Sequence, residues 1–118
     1  MSEKSIGVVG PCAAGKSTLV RQLREAGYRA RHIAQEHSFS PSMWQRLSTA
    51  PDILIFLDVS YPVSAARRPD SRWRQADYEE QQRRLAHARR HADLYIQTDA
   101  LTPEEVFRQV REFLEGRD

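Results

Sequence analysis

The feature that most constrains the fold of this chain is a glycine-containing turn, Gly10–Ser17, with the sequence GPCAAGKS. The residues before it, Ser5–Val9, form a short run of mainly apolar side chains, which predicts a buried strand. The residues after it carry apolar side chains at helical spacing and predict a helix over Gly15–Ala26. A strand, a tight turn and a helix in this order are typical of an α/β protein.

The spacing of the turn is that of a phosphate-binding loop, in which a glycine and four further residues precede Gly-Lys-Ser. Successive backbone N–H groups of such a turn point inward as an anion-binding nest, and the helix that follows adds its positive end. We expect Lys16 to reach the β- and γ-phosphates, the Ser17 hydroxyl to hold Mg²⁺, and Thr18 to face the α-phosphate. The predicted phosphate-contacting residues are Gly10, Pro11, Cys12, Ala13, Ala14, Gly15, Lys16, Ser17 and Thr18.

The remainder of the chain alternates between strand and helix patterns. The run Ile53–Leu57 is continuously apolar, which indicates a strand buried on both faces of a parallel sheet. Thr102 and Glu105 form a capping box around Pro103 and predict the start of the last helix. The other predicted strands are Tyr28–Ala34 and Leu94–Thr98, and the other predicted helices are Pro41–Leu47, Pro62–Arg68 and Arg72–Ala92. We therefore expect one domain over residues 1–118, a three-layer α/β sandwich with a mostly parallel four-stranded sheet.

Composition narrows the class of protein. The chain is 40% hydrophobic and 29% charged, and no apolar run is long enough to cross a bilayer. The net charge is +2, from 18 basic and 16 acidic residues, and this balance argues against a nucleic-acid partner. The only cysteine is Cys12, which excludes an internal disulfide and a zinc site built from several thiols. We expect a cytoplasmic protein with no membrane partner.

Four stretches together suggest a family. The segments SIGVVGPCAAGKSTL, PDILIFLDVS and LYIQTDALTPEEV, with an arginine-rich stretch between the last two, resemble the P-loop kinase family of nucleotide and small-metabolite kinases. The resemblance implies a minimal P-loop NTPase fold, ATP and Mg²⁺ as ligands, and transfer of the γ-phosphoryl group to a small acceptor. Such kinases usually have five core strands and one that ends in Asp-Arg. If one strand is lost here, the strand order is second, first, third, fourth.

Two carboxylates compete for the role of the acid that orients Mg²⁺. Asp58 follows the apolar run Ile53–Leu57 and matches the spacing of such an acid. Glu36 follows the second strand, which would lie beside the first one at the point where ligands bind in open α/β sheets. His37 is a candidate base next to Glu36, although a histidine there is more often a polar loop residue. The sequence places no third ligand beside His32 and His37 for a histidine metal site.

The stretch from residue 67 to 90 is rich in arginine, which suits the cations that phosphoryl transfer requires. By position after the LDVS strand, the lid candidates are Arg67, Arg68, Arg72 and Arg74, among which Arg68 and Arg72 join Lys16, Glu36 and Asp58 in the predicted catalytic set. The alternative is a solvated helix face with i,i+4 pairs, Glu79 with Arg83 and Glu80 with Arg84.

Two functions follow from these features. The first is an ATP-dependent kinase acting on a small acceptor, and the second is a nucleotide-dependent switch or weak NTPase that regulates a partner protein. The absence of an NKxD-type tetrapeptide favours ATP over GTP. A chain of this length cannot easily enclose a nucleotide, so we also expect self-association into a homo-oligomer.

Overall fold

Four strands form a single parallel sheet in the computed structural model, which describes residues 4–46, 50–69 and 72–117. The strands are β1 (Ser5–Val9), β2 (Arg29–His32), β3 (Ile53–Asp58) and β4 (Leu94–Gln97). Their order is β2-β1-β3-β4, which confirms the order expected from the sequence, and each neighbouring pair is parallel. The helices are α1 (Lys16–Glu25), α2 (Met43–Arg46), α3 (Tyr61–Arg67), α4 (Gln75–His91) and α5 (Pro103–Arg117), with a short 3₁₀ helix at Gln35–His37.

Helices cover both faces of the sheet, so the two central strands are buried from both sides. Every residue of β3 is buried, as its unbroken apolar run predicts. One core lies between the sheet and helices α1 and α5, and it includes Leu19, Leu23 and Val110. The second core lies on the opposite face, where Trp44 of α2 and Leu85 of α4 pack against Phe56. This arrangement is an α/β fold with an all-parallel sheet, compatible with a three-layer sandwich.

Several element ends differ from the sequence-based expectation for identifiable reasons. Helix α4 begins at Gln75 rather than Arg72, because the backbone N–H of Arg74 donates to the Asp77 carboxylate and ends the preceding segment there. Ala76, in the first turn of α4, is exposed. The end of α2 at Leu47 lies outside the described residues.

The capping box of α5 is confirmed. The backbone N–H of Glu105 donates to the Thr102 hydroxyl at 3.1 Å, and the Glu105 carboxylate accepts from the Thr102 backbone at 2.8 Å. These bonds fix the segment that follows β4, and that segment lines a cavity described below. Among the described residues, no helix is both long and apolar enough to span a membrane.

Candidate functional site

The turn between β1 and α1 has the backbone conformation of an anion-binding nest. Ala13 and Gly15 have φ of 69° and 97°, so left-handed residues alternate with others just before the first turn of α1. Ala13 is the non-glycine residue that carries this strain among the described residues, and such residues concentrate at functional sites. This backbone conformation is compatible with the predicted phosphate-binding loop, which stays a prediction.

Gly10 fixes the start of this loop against the neighbouring strand. Its φ is 153°, and a Cβ placed there would lie 1.9 Å from the backbone carbonyl oxygen of Leu57 in β3. No side chain fits at that distance, so glycine is required for the loop to leave β1 beside β3.

Lys16 does not extend into solvent but folds back over the loop. Its Nζ donates to the carbonyl oxygens of Gly10 at 2.6 Å and Pro11 at 2.9 Å. The same ammonium group lies 3.0 Å from Oε2 of Glu36, and both side chains are buried, with 7% and 2% of their surface exposed. The structure thus places the lysine of the loop in direct contact with one of the two predicted acids.

Glu36 reaches this position because the 3₁₀ helix Gln35–His37 turns the chain inward immediately after β2. Its second carboxylate oxygen, Oε1, is buried and has no hydrogen-bond partner among the described residues. Two imidazoles, His32 and His37, lie 3.6 and 3.8 Å from Oε2. A buried carboxylate with a free oxygen, next to the Gly10–Ser17 loop, is suited to accept from the water shell of a divalent cation.

The segment that carries Glu36 is held by a fully buried amide that sequence reasoning did not single out. The Gln35 side chain donates to the carbonyl oxygens of Ser40 and Arg84 and accepts from the backbone N–H of Trp44. These bonds tie the 3₁₀ helix to both α2 and α4. Gln35 gave no motif signal, because it acts only through backbone groups brought together by the fold.

Asp58 occupies a different environment from Glu36. Its carboxylate accepts from the backbone N–H of Val59 and from the side chains of Gln82, Arg89 and Tyr95, at distances between 2.5 and 3.2 Å. Each of its oxygens therefore has protein partners, from α4 and β4. The structure thus engages Asp58 in a structural cluster and leaves Glu36 with the unpaired oxygen.

The tyrosine in this cluster is strongly perturbed. Burial raises the pKa of Tyr95 to about 12, and its hydrogen bond to the Asp58 carboxylate acts in the same direction, because the phenolate would lose that bond. Burial also raises the pKa of Tyr78, with the charge of Asp58 adding to the effect. Both phenols stay protonated near neutral pH, and the hydroxyl of Tyr95 remains a donor.

Arg67 is the lid candidate that contacts the loop. Its guanidinium donates to the carbonyl oxygen of Ala13 at 2.8 Å and to the carbonyl and hydroxyl oxygens of Thr98 at 3.0 and 3.3 Å. Thr98 is itself buried between the loop and β3, donating to the backbone of Asp58 at 2.9 Å. Arg67 therefore joins α3, the end of β4 and the Gly10–Ser17 loop.

The two arginines placed in the predicted catalytic set lie elsewhere in the described structure. The guanidinium of Arg68 stands over the ring of Trp73, 5.2 Å from its centroid. Arg72 is exposed and precedes α4. On α4 itself, Arg83 and Arg84 both pair with Glu80. The expected Glu80–Arg84 pair is therefore confirmed, whereas Arg83 pairs with Glu80 at i,i+3 and not with Glu79. The hydrogen bond with Arg83 lowers the pKa of Glu80, which favours the charged carboxylate.

A cavity of about 340 Å³ opens beside the loop, and Arg67 is among the residues that line it. Its walls come from the loop, α1, the segment between β4 and α5, and α5 itself, including Gly15, Thr18, Leu101 and Val106. The volume is in the range of small-molecule sites, and the lining is mainly apolar, with polar side chains from Thr18, Gln22, Arg67 and Thr98.

The remaining member of the loop with specific contacts is Cys12. The side-chain amide of Gln81, on α4, accepts from the backbone N–H of Cys12 at 3.0 Å and donates to its sulfur at 3.2 Å. Gln81 is buried, and it positions Cys12 near the 3₁₀ helix that carries Glu36. The sequence predicted Cys12 only as one of the phosphate-contacting residues of the loop, and nothing in its pattern related it to Gln81, 69 residues away.

Comparison with known proteins adds no relative to this picture. Neither a scan against protein-family models nor a search of curated proteins found a match for this chain. The functional reading therefore stands on the geometry of the loop, the Lys16–Glu36 pair and the adjoining cavity.

Proposed function

We propose that this chain is a small P-loop phosphotransferase that binds ATP and moves its γ-phosphoryl group to a small acceptor. The observation that carries the proposal is the contact between Lys16 and Glu36 at the mouth of a loop with nest geometry. A cation for the phosphates and an acid for the metal ion are the two charged groups that phosphoryl transfer needs first. Here they are brought together from segments 20 positions apart in the sequence.

Glu36 rather than Asp58 takes the role of the metal-orienting acid in this proposal. The orphaned Oε1 of Glu36 fits a hydrogen bond from the water shell of Mg²⁺, and Ser17 at the first turn of α1 offers its hydroxyl. Bound Mg²⁺ would neutralise charge on the β- and γ-phosphates. The chain's own part is to hold the phosphates by the backbone N–H groups of the loop and to bring the Lys16 ammonium onto them.

The nucleoside would occupy the cavity beside the loop. Thr18 lines this cavity, which is consistent with its expected place near the α-phosphate, and Arg67 presents a guanidinium that can stack on a base. The acceptor then approaches from the side of Glu36 and His37, where His37 is 60% exposed. His37 is within reach of a water or hydroxyl there and is the candidate base.

The alternative is a nucleotide-dependent switch or weak NTPase, in which the same loop binds ATP and no acceptor site is formed. A single assay distinguishes the two. The protein is mixed with Mg-ATP and a panel of nucleosides, nucleotides and sugars, and ADP release is followed. Stimulation by one acceptor is expected for the phosphotransferase. Slow release that ignores every acceptor would replace it with the switch.

Lys16→Ala provides the matched test of the site, because the only other lysine is Lys4, which lies before β1 and is exposed. We expect Lys16→Ala to abolish ATP binding measured by titration calorimetry, and Lys4→Ala to leave it unchanged. Undiminished ATP binding by Lys16→Ala would contradict both functions.

A further inference from the structure

Three side chains with metal-binding atoms converge beside the phosphate-binding loop. Cys12 comes from the loop, and Glu36 and His37 come from the 3₁₀ helix after β2. One ligand atom from each residue lies within 4.8 Å of the corresponding atoms of the other two. The sequence separates Cys12 from the other two by more than 20 positions, so only the fold reveals the cluster.

Burial and hydrogen bonding point to a ligand at this cluster. Glu36 is 2% exposed, yet its Oε1 has no hydrogen-bond partner among the described residues, which is costly for a buried carboxylate oxygen. Cys12 is partly buried and His37 is 60% exposed, so the three groups run from the interior to the surface. An ion could enter from the side of His37 and satisfy the orphaned oxygen.

We propose that Cys12, Glu36 and His37 form a binding site for Zn²⁺. A thiolate, an imidazole and a carboxylate are the three ligand types that zinc uses, and three protein ligands leave the fourth position for water. Zinc bond lengths of about 2.0–2.3 Å put tetrahedral ligand atoms about 3.5 Å apart, so the cluster needs only a small contraction. The Gln81 amide already donates to the Cys12 sulfur and would orient this ligand from outside the first shell.

The site would act as an inhibitory switch on the proposed nucleotide site, and this consequence rests on the proposed function. Zinc would take the carboxylate of Glu36 from Lys16 and from the Mg²⁺ water shell. It would also link Cys12 in the loop to the 3₁₀ helix. Zinc and Mg-ATP therefore compete, and each is expected to weaken the binding of the other to the same degree.

Co²⁺ is the probe for the metal site, because a cobalt–thiolate bond gives a charge-transfer band in the near ultraviolet. Cys12 is the only cysteine, so such a band can arise from no other residue. Full-length protein without nucleotide is titrated with Co²⁺, and the band is expected to appear and to be abolished by Zn²⁺. Cys12→Ser should remove it, and His37→Ala, at a position that is 60% exposed, should weaken Co²⁺ binding at least tenfold.

The control is His91→Ala, which removes an exposed histidine of α4 and should leave the Co²⁺ affinity unchanged. Absence of the band in wild-type protein would overturn the proposal. So would a band whose Co²⁺ affinity is the same in wild type, His37→Ala and Glu36→Gln, since the cysteine would then bind the metal alone. If the protein shows the Co²⁺ band but does not bind Mg-ATP, the proposed function is contradicted and the proposed zinc site is still supported.

Discussion

At the scale of single residues, the most informative contact is the ion pair between Lys16 and Glu36. Both groups are buried, and the lysine also holds two backbone carbonyls of the loop. A buried pair of this kind contributes little net stability, but removing one partner leaves an uncompensated charge in the interior. The pair therefore couples the stability of the fold to the integrity of the site.

A double-mutant cycle tests that coupling. Lys16→Met should lower the free energy of unfolding by about 3 kcal/mol, because the carboxylate of Glu36 loses its ammonium partner. Adding Glu36→Gln should recover most of the loss, since the amide carries no charge. Urea unfolding monitored by circular dichroism gives both values. A double variant no more stable than Lys16→Met would show that the pair is not coupled.

Substitutions of Arg67 and of Arg72 are expected to have different effects on ATP binding. Arg67→Ala removes charge-assisted hydrogen bonds to the loop, so the dissociation constant for ATP should rise about tenfold to a hundredfold, equivalent to about 1.5–3 kcal/mol. Arg72→Ala, at an exposed arginine outside these contacts, should change it less than threefold. Titration calorimetry of both variants measures the two dissociation constants for ATP. The reverse ranking would restore the sequence-based choice of Arg72.

At the scale of elements, helix α4 organises both sides of the site although its own sequence suggests only a polar surface helix. Gln81 holds Cys12 of the loop, whereas Gln82 and Arg89 hold Asp58 at the end of β3. The backbone carbonyl of Arg84 on the same helix accepts a hydrogen bond from the side chain of Gln35, the residue before Glu36. Helix α4 thus contacts the loop, the carboxylate of Asp58 and the segment that carries Glu36.

The sequence predicted the elements better than their contacts, for a physical reason. The runs Ser5–Val9 and Ile53–Leu57 and the capping box at Thr102 are local patterns, and the structure confirms all three. Choosing Glu36 over Asp58 depends on partners supplied by Lys16 and Tyr95, which are distant in the chain. Periodicity carries no information about such partners.

The cluster of Tyr95 and Asp58 makes a prediction about alkaline stability. The pKa of Tyr95 is about 12 in the folded protein against an ordinary 10.0, so its contribution to stability is complete below pH 10. Between pH 10 and 12 the unfolded chain loses this proton while the folded protein keeps it, and the free energy of unfolding falls. Tyr95→Phe should reduce the steepness of that fall, measured by urea unfolding at successive pH values.

A smaller decline should persist in Tyr95→Phe, because the pKa of Tyr78 is also raised. Tyr28→Phe, on the segment between α1 and β2, is the control and should reproduce the wild-type slope. An identical slope in Tyr95→Phe and wild type would contradict the assignment of the alkaline effect to this cluster.

At the scale of the whole molecule, one side of the site is open in the part of the chain that the structure describes. His37 is 60% exposed, and Phe39, just after the 3₁₀ helix, is 89% exposed with the guanidinium of Arg84 over its ring. Isolated exposed aromatics are common, but this one flanks the expected path of the acceptor. A second copy of the chain could cover it.

Self-association therefore remains a prediction of the molecule's size and open site. Sedimentation velocity at working concentration, with and without Mg-ATP, should show a dimer. Phe39→Asp should shift the protein to the monomer if this surface forms the contact between copies. A monomer with full catalytic activity would remove the prediction.

The ammonium group of Lys16 begins any encounter with a ligand already surrounded by three oxygens, at 2.6, 2.9 and 3.0 Å. Binding is then an exchange, in which new anionic oxygens must outcompete internal ones. If the proposed nucleotide site is correct, a triphosphate tail, which carries more negative charge than a monophosphate, is expected to make this exchange more readily. Under the proposed function, the resting position of the Lys16 side chain would therefore favour ligands with longer phosphate chains.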